Sequence, residues 1–386
     1  MKIAVTGADG LLGWHAAARL HAANCAARFR GQSVPYEMVL LGRREFDDVS
    51  QLAQALRGCD AVLHFAGVNR RPDEEMEDAN PAISRKLAAA VEVSGANAHI
   101  VYANSTHSRG DTPYGRSKRN AASLLEANKG GFSDLILPHI FGECARSFYN
   151  NVTATLCQQL IVGEEPTVNP GAQVKLLHAG RAAQIAIDAA IARQSGTIEP
   201  EARPTAVQDL LDRLRMFHGS YLAGIFPDLS DDFDLTLFNS YRAALYPDGF
   251  PRPLKLNRDA RGVLFEAVKG GGGGQTFMSW TEPGVTRGDH FHLAKVERFL
   301  VVSGEAVIRI RKVLGAGVWE YKVNGDEPAA VDMPTLHTHS IENTGSKPLL
   351  TLFWTHDLFD PSAPDTYADP VLKPSMLRSA APRAAN

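Results

Sequence analysis

The pattern of apolar residues along this chain changes character once. Up to about residue 246, short apolar runs alternate with longer amphipathic stretches, and from about residue 256 only the short runs remain. No single core accommodates both patterns, and 386 residues exceed one ordinary core. Two domains of different class are therefore expected. In the first part KIAVTG, EMVLLGR, DAVLHFAG and HIVYANS read as buried strands, each closed by a turn or polar signal. Ala- and Leu-rich stretches such as LLGWHAAARLHAA and SRKLAAAVEV lie between them and read as helices. A later helix carries Val207, Leu210, Leu211, Leu214 and Phe217 on one face. Strand–helix alternation predicts an α/β Rossmann-like, doubly wound parallel sheet over 1–246.

The Pro-rich stretch PDGFPRPLKL predicts a linker over 247–255. Beyond it, RFLVVSG, EAVIRIRKV, VWEYKV and PLLTLFWT are β-branched or aromatic runs separated by turns, the pattern of an all-β sandwich or barrel over 256–370. The run Gly270–Gly274 predicts a flexible hairpin loop, and residues 371–386, rich in Pro, Ala, Ser and Arg, predict a poorly ordered tail.

Composition excludes several functions. Forty basic against 43 acidic residues leave a net charge of −3, with no basic excess for nucleic acid. No apolar run approaches the roughly 20 residues that span a bilayer, so membrane insertion is not expected. The start of the chain lacks the apolar stretch and cleavage site of a secretory signal. Cys25, Cys59, Cys144 and Cys157 are scattered without a CxxC pair, which fits reduced thiols in the cytoplasm.

Two groups of residues carry chemistry. In the first, Gly7, Gly10 and Gly13 stand in TGADGLLG, between the first strand and the first helix. Glycines there permit a tight turn, a close approach of backbone to a pyrophosphate and close helix packing, and the helix N-terminus attracts phosphate. The second strand ends in Arg43 and Arg44, where an acid would favour NAD and an arginine favours the 2′-phosphate of NADP. Tyr114 and Lys118 are four apart in TPYGRSK and share a helix face. The ammonium is expected to lower the phenol pKa, so that Tyr114 exchanges a proton with a carbonyl or carbinol oxygen. Ser105, at the end of a strand, is placed to bond the same oxygen.

In the second group, His290 and His292 form His-x-His on a strand, with Glu297 and His339 following. Three imidazoles and a carboxylate suit zinc, iron, nickel or manganese alike. His337 is read as an exposed turn residue, and Lys295 as a surface lysine or a cation near the site.

Residues 1 to about 245 resemble the extended short-chain dehydrogenase/reductases that act on nucleotide sugars, through TGADGLLG, DAVLHFAG, Asn80, Ser105, Tyr114 and Lys118. The resemblance makes Tyr114 the acid/base, gives Lys118 the nicotinamide ribose as well, and places His64 to Ala66 along the cofactor. Sugar 4,6-dehydratases of this group carry carboxylates after the serine. Here the run is Ser105-Thr106-His107-Ser108, which favours ketone reduction. Residues 284–343 resemble both cupin motifs, with Leu336 where the second has a turn glycine. Arg287-Gly288-Asp289-His290, with Asp259-x-Arg261-Gly262, also resembles the metal-free sugar 3,5-epimerases, where the corresponding histidine is a base.

The joined chain resembles the bifunctional capsule-biosynthesis reductase/epimerases of the CapF type. LHFAGVNR, TATLCQQ, KVERFLVVSG and FDPSAPDTY add to the match. The resemblance implies a homodimer in which a zinc-type cupin epimerises C3 of a UDP-linked 2-acetamido-2,6-dideoxy-4-hexulose. The first domain then reduces the C4 ketone with NADPH, in a route to UDP-N-acetyl-L-fucosamine. Arg146, Tyr149 and Asn150 are expected to hold pyrophosphate or sugar. The alternatives are an NAD-dependent nucleotide-sugar 4-epimerase or reductase whose cupin only binds or dimerises.

Overall fold

The structure, a computed structural model, describes residues 1–260 and 262–373. Arg261 and the tail from residue 374 onward lie outside the described residues. The chain divides into two compact units. One holds Met1–Gln159 with Glu165–Asp212, and the other holds Leu160–Glu164 with the chain from Arg213 onward.

The first unit is built on β1 (Lys2–Thr6), α1 (Leu11–Phe29), β2 (Glu37–Leu41), α2 (Val49–Leu56), β3 (Ala61–His64), α3 (Asp73–Ser94), β4 (His99–Ser105), α4 (Pro113–Glu126) and β5 (Phe132–Leu137). It continues through β6 (His139–Phe141), α5 (Val152–Ile161), β7 (Gln173–His178), α6 (Ala179–Ala192), β8 (Gly196–Ile198) and β9 (Arg203–Ala206). The main sheet has the order β2-β1-β3-β4-β5-β8, every pair parallel. This is the Rossmann-like doubly wound sheet. Because side chains alternate across a strand, Ala4, Val62, Ile100 and Tyr102 feed one core beneath α2, α3 and α4. Ile3, Val5, Leu63, Val101 and Leu135 feed the other, beneath α1 and α6. A second sheet, β6-β7-β9, carries the chain beyond α4.

The second unit is mostly antiparallel. One five-stranded sheet has the order Arg252–Pro253, Ala329–Met333, Glu297–Ser303, Leu349–Thr355 and Gln275–Thr281. The other runs Val318–Asn324, Glu305–Lys312, His337–Asn343, Thr286–Phe291 and Tyr367–Ala368. Phe299, Val301, Val331 and Phe353 of the first sheet meet Ile308, Ile310, Tyr321 and Ile341 of the second in one core. This is the two-sheet β domain expected of a cupin.

Several boundaries differ from the sequence expectation. Helix α7 (Val207–Leu222) buries its predicted stripe, yet the division between units falls inside it. Helix α8 (Asp232–Leu245) lies wholly in the second unit. The reason is a polar lock that period counting cannot see. Tyr221 donates to Asp332, Asn239 donates to the Ala294 carbonyl at 2.8 Å, and Arg242 donates to the Met333 carbonyl at 2.6 Å. The stretch 247–255 is more than a linker, because Phe250 enters the β core and Arg252–Pro253 pairs with Ala329–Ala330.

The glycine run is not a hairpin tip. Lys269–Gly270 pairs with Ile225–Phe226, and a Cβ on Gly274 would stand 2.4 Å from the Thr355 carbonyl oxygen. The predicted tail also begins too early. Val371 is fully buried, and its N–H donates to the Asp289 carboxylate at 2.9 Å.

Candidate functional site

In the first unit the glycine loop follows β1 directly. Gly7 has φ +65°, and a Cβ there would lie 2.8 Å from the Ala66 nitrogen. A Cβ on Gly13 would lie 2.2 Å from the Gly7 carbonyl oxygen. Only hydrogen fits at either position. Gly10 caps α1 with no side-chain bond, so the helix N-terminus stays open to an anion. A dinucleotide pyrophosphate fits this cradle. Arg43 and Arg44 are exposed just beyond β2. Two carboxylates share that corner: Glu45 accepts the Gly42 N–H at 2.7 Å, and an Asp9 oxygen approaches Gly42.

His64 does not line this cradle with its ring. Its Nδ1 bonds the Thr6 hydroxyl at 2.8 Å, the ring packs between Phe46 and Tyr102, and burial followed by Lys118 lowers its pKa to about 3. Of 64–66, the main chain at Ala66 lies against Gly7 of the cradle, with its N–H donating to the Thr6 hydroxyl at 3.1 Å.

Ser105 ends β4, and Tyr114 and Lys118 share one face of α4. The helix start is well specified: Thr112 accepts the Gly115 N–H at 3.1 Å, and Pro113 fills the first turn. Lys118 is fully enclosed. Its ammonium donates to the Ala103 carbonyl at 2.5 Å and sits 4.2 Å above the Tyr102 ring. Burial brings its pKa down to about 7, against the nearby Asp134 carboxylate. The Tyr114 phenol donates to Asn69 Oδ1 at 3.3 Å. Burial raises its pKa, and a hydrogen bond with Ser105 opposes that rise. The expected lowering by lysine is therefore absent here: Tyr114 is governed by burial, and Lys118 turns to the strand behind it.

The loop after β3 is clamped by Asn80, whose side chain is buried. It accepts the Val68 N–H at 2.8 Å and donates to the Val68 carbonyl at 3.0 Å and to Ser117 at 2.9 Å. Asn150 donates to the Asn69 carbonyl at 2.9 Å. Arg146 and Arg70 stand 5.0 and 5.9 Å from the centre of the Tyr149 ring. The segment with Arg146, Tyr149 and Asn150 is thus brought to Tyr114 through Asn69. Sequence reasoning did not single out Asn69 or Arg70, which lay inside a matched stretch without any spacing signal.

In the second unit His290, His292, Glu297 and His339 each turn one donor atom into a shared space, all within 4.8 Å of one another. The strand Thr286–Phe291 supplies His290, which pairs directly with His339 across a bulge. Glu297 opens a strand of the other sheet. Its carboxylate lies 3.0 Å from His292 Nε2 and 3.2 Å from His339 Nε2.

The outward nitrogens are committed to main chain. His292 Nδ1 donates to the Asp365 carbonyl at 2.5 Å, and His339 Nδ1 to the His337 carbonyl at 3.2 Å. Such bonds fix the tautomer with Nε2 facing the cluster. His339 Nε2 is buried, and its contact with Glu297 lacks hydrogen-bond geometry. A buried unmatched nitrogen beside a carboxylate is what a divalent cation would satisfy, so the donor set fits a metal of the zinc class.

Leu336 adopts φ +59°, the left-handed conformation a glycine would take, so the turn before His339 survives the substitution. His337 is buried and packs against Tyr246, unlike the exposed turn residue expected. Lys295 Nζ donates to the Pro364 carbonyl at 2.7 Å.

Comparison with known proteins follows the same division. Residues 3–192 match the NAD dependent epimerase/dehydratase family, and residues 257–367 match the polysaccharide biosynthesis C-terminal domain. A reductase of Pseudomonas aeruginosa, UDP-2-acetamido-2,6-beta-L-arabino-hexul-4-ose reductase, is 29% identical over 377 residues, covering 95% of this chain and 98% of the relative. The crystal structure of the capsular polysaccharide assembling protein CapF from Staphylococcus aureus is 31% identical, with 96% of this chain and 100% of that one covered and a TM-score of 0.57. Among the described residues, no helix is long and apolar enough to cross a membrane. The chain therefore belongs to the CapF-type family, in which an extended short-chain dehydrogenase/reductase domain is followed by a cupin-like polysaccharide-biosynthesis domain.

Proposed function

We propose that this protein is a bifunctional nucleotide-sugar enzyme. Its β domain inverts C3 of a UDP-linked 2-acetamido-2,6-dideoxy-4-hexulose, and its first domain reduces the C4 ketone of the product. The observation that carries the reading is the Tyr114 phenol at the start of α4, bonded to Asn69, whose carbonyl is held by Asn150 of the segment 146–150. The likeness to a reductase of a UDP-linked hexulose supports the substrate class.

For the reduction, bound NADPH supplies a hydride to C4. Tyr114 donates its phenolic proton to the oxygen that becomes the C4 hydroxyl, and Ser105 steadies that oxygen. Lys118, on the same helix face, would hold the nicotinamide ribose, and its ammonium would favour the phenolate left once Tyr114 has given up its proton. Arg43 and Arg44 favour the 2′-phosphate. No carboxylate stands among Thr106, His107 and Ser108, directly after Ser105. Thr106–Arg109 form a short 3-10 turn with His107 at the edge of Tyr114, which suits reduction rather than dehydration.

For the epimerisation, the C4 carbonyl acidifies the C3 proton, and a base and a proton donor on opposite faces invert the centre. A divalent metal held by His292, Glu297, His339 and His290 would stabilise negative charge on the enolate oxygen. A homodimer is part of the proposal: edge strand Gln275–Thr281 exposes Phe277, Met278 and Trp280, the last 65% exposed, an apolar surface suited to a second copy. A cytoplasmic location is part of the proposal, as the compartment that would supply NADPH.

The test is incubation with the UDP-linked 4-keto sugar. In heavy water without NADPH, deuterium should enter at C3. With NADPH, coenzyme oxidation should match formation of the C4 alcohol, identified by NMR. Absence of both exchange and oxidation refutes the reading. Reduction without exchange leaves the β domain a binding or dimerisation module.

A further inference from the structure

The reductase site must tell a C4 ketone on the right sugar from other ketones, and the structure holds a side chain placed for that purpose. Asn69 Oδ1 is 3.3 Å from the Tyr114 hydroxyl. A reacting oxygen set against that hydroxyl would bring the substituents of the neighbouring ring carbons within reach of Asn69. C4 has two ring neighbours. C5 bears the ring oxygen and a methyl group in a 6-deoxy sugar, and neither can satisfy an amide as both donor and acceptor. C3 bears a hydroxyl, which can.

We propose that Asn69 reads the C3 hydroxyl, and so makes reduction selective for sugars oxygenated beside the ketone. The inference rests on the reductase reading above and deepens it. Four bonds hold the segment around Asn69 while leaving its side chain to face the phenol. Buried Asn80 grips Val68 on both its N–H and its carbonyl. Asn150 donates to the Asn69 carbonyl at 2.9 Å. Arg70 donates to the Phe148 carbonyl at 3.4 Å.

The partner segment is itself held in an uncommon conformation, with φ +57° at Phe148 and +53° at Asn150. Non-glycine residues adopt that region at a cost, and such costs gather at ligand-binding segments. Without substrate the amide takes the phenol as its partner. With substrate the phenol turns to the ketone oxygen and the amide to the C3 hydroxyl.

The experiment compares two substrates on two full-length proteins. The substrates are the UDP-linked 2-acetamido-4-keto-6-deoxy sugar with its C3 hydroxyl, and the same compound made as the 3-deoxy analogue. The analogue has no stereocentre at C3, so the epimerase step cannot blur the result. NADPH oxidation gives kcat/KM for wild type and Asn69→Ala, and NADPH titration checks that the variant folds and binds coenzyme normally. Wild type should prefer the hydroxylated sugar about 10- to 100-fold, and Asn69→Ala should treat both alike.

If Asn69 only parks the tyrosine, the variant lowers both values by one factor and the preference persists, which overturns the proposal. If wild type shows no preference, the proposal also falls, while the reductase reading stands. If wild type oxidises NADPH with neither sugar, the reductase reading fails, and this inference with it.

Discussion

The main-chain carbonyl of Asp365 accepts a hydrogen bond from His292 Nδ1 at 2.5 Å, across 73 positions of sequence. The carboxylate of the same residue accepts the N–H groups of Leu293, Ala294 and Lys295 at 2.9, 2.9 and 2.8 Å. One residue therefore fixes both the ring and the turn that follows it. Its own φ of +42° shows how sharply the chain bends to do so.

Asp365→Ala should keep all four donor residues and the carbonyl that accepts from His292, yet free the turn that the carboxylate holds. Metal binding should weaken about 10-fold, the lower end of what lost outer support costs. His292→Ala should abolish the metal. Metal analysis of dialysed full-length protein, with zinc back-titration, checks both. Equal metal content in wild type and Asp365→Ala would show that the carboxylate's hold on the turn after His292 orients nothing of consequence.

A second lock joins α7 to the β sheet within the second unit. Arg298 grips Asp332 through two bonds, at 2.6 and 2.8 Å, with both side chains buried and Tyr221 donating to the same carboxylate. Burial alone would push Asp332 up, but Arg298 holds its carboxyl below the usual range. Removing one partner strands a charge in the interior. Asp332→Ala should destabilise the second unit by about 3–5 kcal/mol, while a paired Arg298→Met, Asp332→Leu replacement should recover much of that loss. Urea unfolding of the three proteins measures this. A double replacement as damaged as the single one would mean that the pair contributes more than mutual neutralisation.

These locks mark what the sequence could convey. The glycine cradle, Tyr114 with Lys118, and His290 with His292 were legible because each is a local spacing read against a known period. Glu297 and His339 were legible as a carboxylate and an imidazole following that pair in a β-rich segment, and the motif resemblance added to them. Asp365, Asn69 and the Arg298–Asp332 pair act across loops or between sheets, where spacing carries no information. The stripe on α7 was visible as a stripe, but not the unit to which its second half belongs. That choice depends on Tyr221 reaching Asp332. Likewise, four-residue spacing put Tyr114 and Lys118 on one face without showing that Lys118 turns to Ala103 while burial governs the phenol.

Coenzyme binding should take up protons. The Lys118 ammonium is pushed down to about 7 by burial, so near neutral pH part of the free protein carries it uncharged. A bound coenzyme adds diphosphate charge and ribose hydroxyls, which favour the charged form. The complex then binds more protons than the free protein, and affinity for NADPH should fall as pH rises above about 7. Calorimetry in two buffers of different ionisation enthalpy should show fractional proton uptake at pH 7.5–8 (a range set around the pKa of about 7), and Lys118→Met should remove it. Buffer-independent heats in wild type would contradict the assignment.

Acid should loosen the first unit through His15 and Glu143. His15 on α1 lies within 3.7 Å of the Glu143 carboxylate, and its Nε2 bonds the Glu143 carbonyl at 3.1 Å, while His178 donates to that carboxylate at 2.8 Å. For His15, burial outweighs the attraction of Glu143, with His178 and Arg19 also opposing charge, and the pKa falls to about 4. For Glu143, burial pushes upward, but His178 and His15 win and hold it at about 2.

Between about pH 6.5 and 4 the unfolded chain binds the His15 proton and the folded one does not, so stability drops as pH falls through that window, by about 3 kcal/mol in all. The Glu143 contribution is present above about pH 4.5 and is lost as pH falls toward 2. Both side chains are almost fully buried, so solvent screening takes little from either. Urea midpoints followed through Trp14, whose ring meets His15 at 5.3 Å, should decline between pH 6.5 and 4 in wild type and much less in His15→Gln. Parallel declines in the two proteins would remove His15 as the titrating group.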